Sequence, residues 1–158
     1  MSSETVVTLL KSMEGTALAG HNILEGCSES ELKEIEAIAE AKLPEEYRTF
    51  MAVLGRFAGD FLSGSDYLYP DVLKVKKYAE ELLEESEVKV TIPKTAFPFF
   101  MHQGYLFMYF DCASGDNPPV WRFMEGYDEP LKIADSFSEW LQDAISAELQ
   151  LSASVNNQ

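Results

Sequence analysis

Residues 92–111, IPKTAFPFFMHQGYLFMYFD, constrain this chain more than any other stretch. Aromatic and β-favouring residues dominate it, and from Ala96 to Phe110 it is broken once, by His102-Gln103-Gly104. Such a break has the length of a tight hairpin turn, with Gly104 available for a positive φ. Tyr105–Asp111 is apolar on both of its alternating faces, which predicts a central strand covered by helices on at least one side. Pro93 and Pro98 restrict the preceding strand to an edge or a short piece, because proline donates no ladder hydrogen bond. Downstream, Ala113–Pro119 reads as a turn-rich loop, Val120–Met124 as the next strand and Leu131–Ala134 as a further short one. Asp135 or Ser136 then caps a last helix that buries Phe137, Trp140, Leu141, Ala144 and Ile145. Residues 150–158 are small and polar and are expected to be disordered.

Upstream of the strands the period changes to that of helices. Val6, Leu9, Leu10 and Met13 mark a short amphipathic helix ended by Gly15, followed by a glycine-containing connector to residue 27. Ser28 and Glu31 form a capping box ahead of Leu32, Ile35, Ile38 and Ala39, with Glu29, Glu34, Glu36 and Glu40 outward. Pro44 suits the first turn of a third helix, lined by Tyr47, Phe50, Met51 and Leu54 and ended by Gly55. A short strand is expected near Asp60–Leu62. A fourth helix, about Asp71–Glu85, is expected to bury Val75, Tyr78, Ala79 and Leu82. Its charges oppose the helix macrodipole, lysines early and glutamates late, so it must depend on packing. The order of elements predicts one α+β unit with a mainly antiparallel sheet packed by helices. Its divisions fall at 1–27 (helix and connector), 28–149 (the α+β domain) and 150–158 (tail).

Charge narrows the choice of partner. Twenty-seven acids against 12 bases give a net charge of −15, which is expected to repel nucleic acid and anionic membranes and attract basic proteins; the competing reading is that it only provides solubility. Cys27 and Cys112 form no CxxC pair, and the N-terminal residues lack the pattern of a signal peptide, so an intracellular, cytoplasmic protein with free thiols is expected. The two histidines, His21 and His102, and the cysteines show no metal-ligand spacing. The glycines form no nucleotide-binding loop, and Ser63-Gly64-Ser65 is not framed as a nucleophile elbow. No catalytic set, cofactor or metal site is therefore predicted. The candidate site is a protein-binding surface made of Asp111, Asp116, Glu125, Asp128 and Glu129, at strand ends and loops, with Trp121 and Tyr105 as aromatic anchors. The competing reading makes these acids a solvated rim and these aromatics core.

Five segments taken together resemble the SUKH superfamily, the group that contains the yeast cell-wall-assembly regulator and many bacterial immunity proteins. They are Leu43-Pro44 before an acidic-tyrosine helix, Phe97-Pro98-Phe99, Tyr105–Asp111, Pro119-Val120-Trp121 and Ala134-Asp135-Ser136-Phe137, in the family's order over roughly 28–146. The short His-Gln-Gly turn and the extra N-terminal helix depart from the pattern. The resemblance implies an α+β fold and a partner-binding role without catalysis. Two roles then stand: immunity against a toxin domain, a basic nuclease among the possibilities, or a regulatory interaction scaffold.

Overall fold

In the computed structural model, which describes residues 4–14 and 24–156, the predicted aromatic strands form the middle of a five-stranded sheet. β1 (Ser65–Asp66), β2 (Ala96–His102), β3 (Leu106–Asp111), β4 (Val120–Met124) and β5 (Leu131–Ala134) lie side by side in chain order, each antiparallel to the next. The helices are α1 (Glu4–Glu14), α2 (Glu29–Ala39), α3 (Glu45–Leu54), α4 (Val75–Glu85) and α5 (Phe137–Asn156). This is the α+β class that the sequence predicts.

The double-sided apolar pattern of β3 is used in full. Phe110 faces a core built with α1, α2, α3 and α5, while Phe107 and Tyr109 face Val75, Ala79 and Leu82 of α4. Tyr47 of α3 sits at the centre of the larger core, with ring centroids 5.0 Å from Phe110 and 5.8 Å from Phe97, Phe99 and Phe137. A register shift in β2 between Pro98 and Phe100 lets Phe97, Phe99 and Phe100 all enter that core. β1 reaches only Met101 and His102, so Pro98 lies where β2 has a strand on one side alone. At the following hairpin Gln103 joins Gly104 at positive φ (49° and 81°), and the Tyr105 N–H donates to the His102 carbonyl at 3.2 Å.

The helix ends follow local chemistry. Ser28 and Glu31 form the reciprocal capping box of α2. Ser136 caps α5, accepting from the Glu139 N–H at 3.1 Å. Pro44 stands at the cap position of α3, one place before the helix, and offers no side-chain acceptor.

Four expectations change. The segment Asp60–Leu62 is a turn, because Leu62 (φ 52°) and Gly64 (φ 91°) bend the chain, and the strand forms at Ser65–Asp66. The fourth helix begins as a 3-10 turn over Asp71–Lys74. Tyr78 is 40% exposed, since the smaller Val75, Ala79 and Leu82 take the buried stripe and leave it at the margin. Residues 150–156, expected as a disordered tail, continue α5 to Asn156, with Leu149 still packed on the core. Val6 and Leu10 of α1 are fully buried in the main core, so this helix is part of it. Most of the expected connector, along with the side chain of Met13, lies outside the described residues. The chain resumes at Leu24, and Glu25 bridges to Phe57.

Tyr47 carries a local cost. Its hydroxyl is buried without a hydrogen-bond partner, and burial chiefly, with Cys27 and Cys112 nearby, pushes its pKa well up. Tyr47→Phe removes this orphaned group and keeps the ring. It is expected to raise stability by about 1 kcal/mol, read as a higher urea midpoint; a lower midpoint would mean that the hydroxyl has a partner in solution.

Candidate partner-binding surface

The seven candidate residues do not form one surface. β3 and β4 pair with Leu106 opposite Met124 and Tyr109 opposite Trp121. Glu125 therefore lies beside the start of β3, and Asp111 at its finish, about 17 Å away along the strand. Asp128 and Glu129 share the β4–β5 hairpin with Glu125, whereas Asp116 follows Asp111 at the other end of the sheet.

The two groups also differ in what they do locally. The Asp111 carboxylate accepts from the Ala113 N–H at 2.9 Å and from the Thr95 hydroxyl, fixing the turn at Cys112–Ser114. Asp116 serves the uncapped end of α3: its Oδ1 accepts from the Glu45 N–H at 3.4 Å and its backbone carbonyl from the Glu46 N–H at 3.0 Å. Trp121 is half-buried on the α4 face and lies parallel to Tyr109, centroids 6.4 Å apart, so its ring is committed to packing. Glu125, Asp128 and Glu129 are exposed.

A groove of about 360 Å³ opens where this hairpin meets the end of α4, lined by Glu85, Ser86, Glu87, Val88, Glu125, Gly126, Tyr127 and Asp128. A small recess adjoining it is floored by Leu82 and Phe123. The Glu125 N–H donates to the Tyr105 carbonyl at 2.8 Å, which fixes the β2–β3 turn beside the groove. Of the exposed large apolar side chains among the described residues, Val88, Tyr105, Tyr127 and Leu131 belong to this end and only Tyr78 lies elsewhere. Grouped exposure of this kind marks interaction surfaces, whereas single exposed residues do not.

The charges around the groove are unanswered. None of Glu85, Glu87, Glu125 and Asp128 is in an ion pair among the described residues, and no lysine or arginine lines the groove. The last turn of α4 holds no basic residue, so its carbonyl end adds negative potential. The acids of α2 are different. Glu29 and Glu36 pair with Arg48, Glu31 with Arg56 and Glu40 with Lys76, while Glu34 accepts from the Tyr69 hydroxyl at 2.7 Å. Glu85, Glu87, Val88 and Tyr127, which line this groove, are not among the residues singled out from the sequence. Only Glu85 carried a signal there, as one of the late glutamates in the reversed charge order of the fourth helix.

Glu46 was missed as well. It is fully buried with neither carboxylate oxygen bonded, and burial first, then the charges of Glu45 and Asp116, push its pKa up to about 7. Its spacing four residues before Phe50 places it on the buried face of α3.

Other chemistry is sparse among the described residues. Burial raises the thiols of Cys27 and Cys112 to about 11, so both are protonated at neutral pH. His102 Nδ1 lies 2.8 Å from Ser65 Oγ, a nucleophile–base pair in form. Among the described residues, however, no carboxylate hydrogen-bonds the imidazole to orient it. His21 lies outside the described residues. No cluster of three or more potential metal ligands is found among those described, and no helix there is long and apolar enough to cross a membrane.

No individual curated protein matches the chain. The family model of the SMI1 / KNR4 family (SUKH-1) matches residues 26–143, from the segment ahead of α2 into α5. That is well over half of the sequence, over the fold just described, and the chain belongs to this family.

Proposed function

We propose that this protein is a non-catalytic, immunity-type member of its family that binds and neutralises a toxin domain with a basic surface, a nuclease being the favoured kind. The observation that carries the reading is the groove at the end of α4. There, unpaired carboxylates surround exposed Tyr127 and Val88, the arrangement of a protein interface with aromatic anchors in a charged rim. A charge of −15 would speed encounter with a basic partner and mimic the polyanion that a nuclease recognises. The reading places the protein in the cytoplasm, without a cofactor. Family membership equally supports a regulatory scaffold, which would engage several partners more weakly. Co-expression with the toxic domain encoded beside this gene tests the choice. Growth is rescued, with a one-to-one complex recovered, if the protein is an immunity protein. Continued toxicity, with several weak partners recovered instead, points to the scaffold.

A further inference from the structure

Resting on the partner-binding reading, we infer that the groove between the end of α4 and the β4–β5 hairpin receives one arginine side chain projected by the partner. The groove has room for a long side chain, with about 360 Å³ of space, well beyond what bound water requires. Its lining comes from two parts of the fold, Glu85 and Glu87 at and just after the end of α4 and Glu125 and Asp128 on the β4–β5 hairpin, so acidic residues of both border an inserted cation. Four like charges around one groove repel, and a cation relieves that repulsion. The adjoining recess floored by Leu82 and Phe123 offers an apolar seat for methylene groups. Tyr127, 56% exposed, supplies an aromatic face over which a guanidinium stacks.

Arginine fits better than lysine. Its planar fork of five donors can bond several carboxylates at once and stack on a ring, whereas an ammonium is a strongly hydrated point charge. The alternative acidic surface, on α2, has no such vacancy, because its carboxylates already hold Arg48, Arg56, Lys76 and the Tyr69 hydroxyl.

A blocked hexa-arginine peptide, titrated into the isotope-labelled full chain at low salt and followed by amide chemical shifts, tests the inference. Saturable shifts are expected at residues 85–88 and 125–128, with hexa-lysine binding more weakly. Ser86→Trp fills the groove without changing any charge and should weaken the peptide by about tenfold or more. Tyr127→Ala, at an exposed position, should weaken it by about two- to fivefold. Shifts spread evenly over all acidic surfaces, shifts centred on Asp111 and Asp116, or unchanged binding by Tyr127→Ala would overturn the inference. The two levels separate cleanly. If hexa-arginine docks in the groove while co-expression brings no rescue, the groove chemistry stands and the immunity reading falls. If rescue succeeds and both groove variants hold the toxin domain as tightly as wild type, the immunity reading stands and the groove inference falls.

Discussion

Phe50→Ala is expected to destabilise the fold by about 3–5 kcal/mol, the range for truncating a large aromatic residue in a packed core. Phe50 is fully buried on α3, with ring centroids 5.4 Å from Phe137, 6.1 Å from Trp140 and 6.3 Å from Tyr47 and Tyr67. Its neighbours come from α3, the segment after β1 and α5, so the cavity cannot close by shifting one side chain. Trp140→Ala should behave alike, since that ring bridges Phe50 and Phe99. Guanidinium unfolding measures both. Midpoints close to wild type would mean that these rings are not packed as described.

The second large effect depends on pH. Glu46 has a folded pKa of about 7 against an ordinary 4.5, raised first by burial. A raised folded pKa means that the native state holds its proton more tightly than the unfolded chain. The associated stability is therefore fully present below about pH 4.5 and is lost as pH rises through 7. Glu46→Gln cannot ionise and should lack this loss. Between pH 5 and 8, wild type should fall relative to the variant by on the order of 3 kcal/mol. The variant keeps every other charged group, Glu45 and Asp116 beside the site included, so the difference between the two profiles is the informative quantity. Denaturant midpoints at several pH values supply it. Parallel profiles would mean that Glu46 is hydrated or paired in solution.

What the sequence revealed was local or periodic. The capping box at Ser28, the cap at Ser136 and the turn at His102–Tyr105 each depend on side chains a few residues apart. The place of β3 followed from an apolar pattern that needs cover on both faces, and both faces are covered. The groove was only half legible. Glu125, Asp128 and Glu129 stood out as hairpin acids, but their partner wall at Glu85–Val88 comes from far upstream and meets them only through packing of α4 on the sheet. A place at a strand end or loop did not put Asp111 and Asp116 beside the hairpin acids, because the two ends of a short strand lie at opposite rims of the sheet. Glu46 was hidden for another reason. Beside Glu45 it reads as an ordinary acid in the first turn of a helix, where negative charge is favourable, and only the fold shows that its carboxylate is enclosed.

The central claim is that the hairpin–α4 end of the sheet meets the partner, and charge reversal at constant net charge tests it most directly. One variant converts Glu125, Asp128 and Glu129 to lysine. The other converts Asp60, Asp71 and Asp143, exposed acids away from the groove, so both carry the same overall charge. Stopped-flow association with the toxin domain at low salt is the measurement, with unfolding midpoints confirming that both variants fold. The groove-side variant should associate at least about tenfold more slowly, with the difference shrinking as salt screens it, while the control slows only slightly. Equal slowing in the two variants would show that the acids act only through net charge, and the partner would then have to meet the protein on another face.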